Sequence, residues 1–194
     1  MSELSEPWIY AWPQSVVAGD TVGLRAAGPA CEADVQVARV GLRREVVWKG
    51  KIVVEPQHVP DRAATYGCPW PDTATVEVSP EWRSGFYEVS MRTRVGFRRD
   101  TLGYFVVRAA TTDPSRPLLV LTTNTWNAYN DWGGRNLYTR GTQVSFARPM
   151  APGFLFKPDG PGSRVSVIGG PDPEMAAHTT YLRDHQFTLS LIHI

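Results

Sequence analysis

The sequence predicts a mostly β protein, in which an immunoglobulin-like β-sandwich is followed by the start of an α/β domain. Two observations predict the sandwich. Residues 8–108 contain about seven short apolar or alternating segments, and turn residues separate these segments roughly every ten positions. A third observation predicts the change of fold class: a continuous apolar run follows Pro117, as in a parallel strand that is covered on both faces.

Alternation and turn residues define the individual strands. Residues 34–40 alternate apolar and polar side chains, which buries one face of a strand and exposes the other. Ala18-Gly19-Asp20 predicts a turn between two further strands. The two strands beside this turn are 15–17 and 21–24, and the remaining predicted strands are 45–50, 51–54, 75–78, 85–92 and 103–108. We find no amphipathic helix pattern between them, so residues 1–110 are predicted to form one β-sandwich domain.

The domain boundary is predicted at residues 111–117, a polar linker with two prolines. Residues 118–188 are then expected to form an incomplete α/β domain. In this domain we predict a central strand at 118–123, a helical turn beginning at Trp126, and further strands at 143–146 and 164–168. Ligands of open α/β sheets bind outside the carboxyl ends of the strands. The site is therefore expected within residues 124–138.

The last six residues, 189–194, read Leu-Ser-Leu-Ile-His-Ile. This hexapeptide matches the translation of a widely used sequencing adapter, so we expect it to be foreign and exclude it from the site. The chain is then expected to be a truncated fragment, poorly ordered after about Pro149. The alternative is an authentic apolar C-terminal strand.

Composition and charge limit the possible partners. The 194 residues are 42% hydrophobic and 20% charged, with a net charge of +1 and neither a basic nor an acidic block. We therefore expect no nucleic-acid partner and no membrane association, while a homo-oligomer stays possible.

Cys31 and Cys68 are too few for a metal cluster. They either form a disulfide or remain free, and the sequence favours free thiols. With no apolar signal region at the start, a cytoplasmic location is expected over a secreted one.

The loop at residues 126–138 is the densest group of functional residue types in the chain. It combines two phenols, two indoles, several amides, a carboxylate and a guanidinium. Gly133-Gly134 allows a turn through positive φ or a close approach to a ligand. Two interpretations are open: the loop forms a site, or its aromatic side chains pack it onto the sandwich. Arg148, after the predicted strand at 143–146, is interpreted as structural support.

A family resemblance favours the site. Residues 121–134, with the core Asn-Ala-Tyr-Asn-Asp-Trp-Gly-Gly, together with Leu137-Tyr138 and residues 144–149, resemble the N,N-dimethylformamidase large (beta) subunit-like family. More specifically, they resemble the shorter relatives of that enzyme's C-terminal domain. Residues 67–70, 82–87 and 105–108 resemble the β domain that precedes it. The resemblance runs from about Trp8 to Pro149 and implies that the α/β domain is glutamine-amidotransferase-like.

The resemblance implies a mononuclear iron site that is formed by two tyrosinates and a glutamate and hydrolyses the C–N bond of a small amide. Tyr129 matches one tyrosinate ligand, and Tyr138 matches the second approximately. Asn130 and Trp132 would contact the substrate. Phenolate and carboxylate oxygens are hard ligands that suit ferric iron. The family's glutamate lies in a His-Asp-Glu-Tyr-Trp motif that this sequence lacks. The fragment is therefore expected to be inactive and not to retain iron.

Two other classes of function stay open. The sandwich is a candidate carbohydrate- or peptide-binding module, with a stacking platform formed by Trp12, Trp48, Trp70 and Trp82. Alternatively, it only positions the α/β domain or mediates assembly.

Overall fold

The structure is a computed structural model that describes residues 4–93, 101–111, 113–115 and 118–151. The predicted strand at 164–168, the predicted loss of order beyond residue 151 and the adapter-like residues 189–194 lie outside the described residues. Within the described part, no helix has the length and apolar character needed to cross a bilayer.

Eight strands and two short helices make up the described fold. The strands are β1 (Trp8–Trp12), β2 (Ser15–Val17), β3 (Thr21–Ala27), β4 (Cys31–Val40), β5 (Arg44–Val54), β6 (Ala74–Glu77), β7 (Gly85–Thr93) and β8 (Thr101–Arg108). The helices are α1 (Ala63–Tyr66) and α2 (Thr123–Tyr129). All the strands predicted up to Arg108 are present, and the two predicted at 45–50 and 51–54 are one continuous strand, β5.

The strands form two sheets. One has the order β1-β3-β6 and the other the order β2-β8-β7-β4-β5. All neighbours are antiparallel except β2 and β8, which pair in parallel. The first strand thus pairs in one sheet and the second in the other, as expected for an immunoglobulin-like sandwich with one additional edge strand. The prediction of a mostly β protein is confirmed.

A tyrosine corner supports this assignment. Tyr87, near the start of β7, donates its hydroxyl to the backbone carbonyl of Arg83 at 2.6 Å. In sandwiches of this type, a tyrosine at this corner makes the same local bond. The Tyr87 ring lies between Trp82 and Phe105, with centroids 5.3 Å and 5.4 Å away.

Alternation along the strands supplies two separate cores. In β1, Ile9 and Ala11 face the core between the sheets, whereas Tyr10 faces the opposite way. The same alternation turns Phe86 and Tyr104 outward from β7 and β8. These outward residues form a second cluster with side chains from the α1 region and from residues 121–151; its buried aromatic members are Tyr10, Trp70, Phe86, Tyr104, Trp126 and Trp132.

The α/β part of the fold prediction is not confirmed. Residues 118–122 have no strand structure, and Leu118 and Val120 are 86% and 71% exposed. A parallel strand is stabilised by its neighbours on both sides, and no described strand pairs with this segment. Residues 143–146 are not a strand either, because Ser145 N–H donates to the carbonyl of Ala64 in α1 instead of joining a sheet.

Candidate two-tyrosine site

Tyr129 and Tyr138 lie face to face at the surface of the loop. Their ring centroids are 3.7 Å apart and the rings are inclined by 14°. The two hydroxyls are joined by a hydrogen bond. Tyr129 is half-buried and Tyr138 is exposed. Burial raises the pKa of Tyr129, and the neighbouring Tyr138 raises it further.

Asn136 brings the two tyrosines together. Its side-chain Nδ2 donates to the carbonyl of Tyr129 at 2.9 Å. Its Oδ1 accepts from the backbone N–H groups of Tyr138 at 2.8 Å and Thr139 at 3.0 Å, which is the side-chain-stabilised turn that asparagine favours. The backbone adds a further link, because Leu137 N–H donates to the carbonyl of Ala128 at 3.0 Å.

Arg148 holds the other side of the same loop. The side chain is 1% exposed, and its guanidinium binds backbone carbonyls at the end of α2 and in the following turn. Its acceptors are the carbonyls of Ser145 (2.9 Å), Trp132 (2.5 Å), Asn130 (2.9 Å) and Asn127 (3.2 Å), and the Oδ1 of Asn127 (3.3 Å). Carbonyls at a helix end lack partners within the helix. Burial lowers the pKa of Arg148 to about 10, so the group remains a cation at neutral pH.

Asn130 and Trp132, predicted to contact substrate, both lie in the interior. The Asn130 amide donates to the carbonyl of Pro149 at 2.8 Å and accepts from the N–H groups of Trp132 and Ala151. Trp132 packs edge-on against Trp8 and Trp70, with centroids 5.7 Å and 5.8 Å away. Their contacts are with protein, and a role in substrate binding stays a prediction.

Gly133 and Gly134 adopt the predicted positive φ, at 75° and 137°. The close approach that they allow is to α1. The carbonyl of Gly133 accepts from Ala64 N–H at 3.0 Å, and a Cβ on Gly133 would lie 2.9 Å from the Cβ of Ala63. These glycines therefore dock the loop on the sandwich.

The two phenols are the candidate metal donors that this loop brings together. Among the described residues, no group of three His, Cys, Asp or Glu side chains could hold a metal ion. Two adjacent phenol oxygens fit a hard trivalent cation as two of its ligands. Because burial and the second phenol disfavour the ionised form of Tyr129, a nearby cation is needed to hold it deprotonated near neutral pH.

The sequence did not predict the structural roles of Asn127 and Asn136. Asn136 has a recognisable sequence signal, because asparagine is favoured in turns, where its side chain accepts from the backbone N–H two residues later. Asn127 and its partner Arg148 are 21 positions apart, and their contact has no local signal.

The tryptophans proposed as a stacking platform are mostly packed against the protein. Trp70 is buried in the second cluster, and its indole N–H donates to the carbonyl of His58. Trp48 and Trp82 pack against the core between the sheets, whereas Trp12 is 37% exposed. Cys31 and Cys68 are both free thiols, as the sequence favoured.

Comparisons with known proteins identify a family. The family model described as N,N-dimethylformamidase beta subunit-like, C-terminal, matches residues 34–188. No curated protein matches the chain. A chain in a solved structure concerning T cell specificity and activation by the bacterial superantigen toxic shock syndrome toxin-1 is 16% identical, with a TM-score of 0.35 over 54% of this chain and 99% of that chain. This likeness is too weak to establish a shared fold.

Proposed function

Because the chain belongs to the N,N-dimethylformamidase beta subunit-like, C-terminal family, we propose that Tyr129 and Tyr138 supply two ligands of a ferric site for the hydrolysis of a small amide. The family resemblance seen in the sequence is confirmed by this match. The observation that carries the proposal is the stacked pair itself, whose hydroxyls meet at a partly exposed surface.

The chain's own residues bring two hard oxygen donors to one point. Asn136 fixes the backbone on both sides of the pair. Since the pKa of Tyr129 is raised, loading of a metal must release a phenol proton, and metal affinity should rise with pH. Bound iron would polarise the amide carbonyl and activate a water molecule.

The third ligand is proposed to be a carboxylate. The family's His-Asp-Glu-Tyr-Trp motif does not occur in the 194 residues, so the chain on its own is proposed to bind iron weakly and to be inactive. An added carboxylate such as acetate should replace the missing ligand in a binding experiment, although it cannot restore catalysis.

The experiment is a titration of the chain with ferric iron, with and without acetate, followed by visible absorption. We expect a phenolate-to-iron charge-transfer band that strengthens with acetate and is lost in Tyr129→Phe and Tyr138→Phe. The matched control is Tyr66→Phe, since Tyr66 is an exposed tyrosine outside the pair. Absence of a band from the folded wild-type chain with acetate would contradict the proposal, as would a band that survives in both variants.

A further inference from the structure

We infer that Asn136 is the positioning residue of the two-tyrosine pair: its side-chain amide holds Tyr129 and Tyr138 in register for a shared ligand. The inference rests on the proposed function for its role toward a metal. The stacking of the two rings can be measured without any metal.

The two halves of the Asn136 amide act on different segments. The donor half binds the carbonyl of Tyr129, the last residue of α2. The acceptor half binds the N–H of Tyr138, nine positions further on. One planar group therefore sets the separation of the two backbones, and both side chains start from fixed points.

The surroundings of Asn136 hold the amide itself in place. The residue is 4% exposed, so its bonds are shielded from competing water. Its backbone N–H donates to the hydroxyl of Thr139 at 3.0 Å, and its carbonyl accepts from Gly141 N–H at 2.8 Å. An amide that is buried and fixed in this way holds the backbones of the two tyrosines more precisely than an exposed, mobile side chain could.

Substitutions separate the two halves of the amide. Asn136→Asp keeps the acceptor that forms the turn and loses the donor to Tyr129. Asn136→Ala loses both. The matched control is Thr73→Val, which removes two comparable hydrogen bonds between the Thr73 hydroxyl and the backbone of Ala26 in the sandwich. All three should lower the melting temperature slightly, and only the Asn136 variants should affect the tyrosines.

The metal-free measurement is the set of NMR contacts between the ring protons of Tyr129 and Tyr138. We expect these contacts to weaken in Asn136→Asp, to vanish in Asn136→Ala and to persist in Thr73→Val. Ring contacts that persist in both Asn136 variants would overturn the inference, and so would their loss in Thr73→Val.

The ferric titration tests the metal role separately. With acetate present, Asn136→Ala should bind ferric iron about tenfold more weakly than wild type, the loss expected when roughly one net hydrogen bond no longer orders the ligands. Thr73→Val should bind as wild type does. If the rings separate in Asn136→Ala and wild type shows no ferric band, the positioning inference stands and the proposed function fails. If wild type and Asn136→Ala bind iron equally, the positioning role toward the metal is wrong.

Discussion

Replacement of Arg148 by methionine should detach the tyrosine-bearing loop from the sandwich. The guanidinium is the shared donor for carbonyls of Asn127, Asn130 and Trp132. Methionine fills a similar space and donates nothing, so these buried acceptors lose their partner. Each buried acceptor left without a partner costs about 1–3 kcal/mol. The Asn127 carbonyl keeps a bond from Asn130 N–H, so loss of the donor to the other two carbonyls should cost about 2–6 kcal/mol in all.

The loss should appear as local opening before global unfolding. The core between the two sheets contains no residue of the loop, so the sandwich keeps its own stabilisation when the loop detaches. Trp126 and Trp132 lie in the second cluster and would become exposed. In urea, Arg148→Met should therefore show a new transition at low denaturant, detected by a red shift of tryptophan emission, ahead of the transition of the sandwich.

Two further variants calibrate the effect. Arg135→Met removes an exposed guanidinium from the same loop and should change stability by less than about 0.5 kcal/mol. Arg148→Lys keeps the charge but has fewer donors, all on a single nitrogen. The stability that it loses should therefore fall between the losses in Arg135→Met and Arg148→Met. The reasoning would be refuted by an Arg148→Met protein whose urea midpoint and emission maximum equal those of wild type.

Three other predictions test the sandwich and its junction with the loop. Tyr87→Phe should destabilise the sandwich by about 1 kcal/mol in chemical denaturation, because it removes the bond to the carbonyl four residues earlier. Gly133→Ala should cost more than Gly19→Ala in the same assay: both sites have positive φ and share a strain of about 1–2 kcal/mol, but only the first places a Cβ 2.9 Å from Ala63. Burial raises the pKa of Cys68 from its ordinary 9.0 to about 12, so the folded state retains a proton that the unfolded state loses. Stability should then fall as pH rises from 9 to 12, by up to about 4 kcal/mol, and equal slopes for wild type and Cys68→Ala over that window would contradict this.

The strands were predictable because their signal is local. In β4, alternation places Val35 and Val37 in the core, and the structure has them there. Turn residues supplied the ends, as at Gly19, where φ is 91°. The sequence showed less clearly that β1 and β7 are each buried on both faces, because the second cluster that covers their outer residues includes side chains from beyond residue 120.

Leu118 to Leu121 shows where such reasoning fails. A continuous apolar run predicts a buried strand only if neighbouring strands exist, and that condition is not local. No described strand pairs with these residues, so the run stays irregular and largely exposed. The helix after it begins at Thr123, three residues before the predicted start, and the Thr122 side chain makes no capping bond.

The two interpretations of the aromatic loop rest on different residues. Trp126 and Trp132 pack the loop onto the sandwich and are almost fully buried. Tyr129 and Tyr138 belong to the same short segment but are less buried, and their rings stack on each other. A site that must hold two phenol oxygens within bonding distance of one ion needs a rigid support. The packed indoles supply that support, so the packing role of the tryptophans favours a ligand-binding role for the tyrosines and does not compete with it.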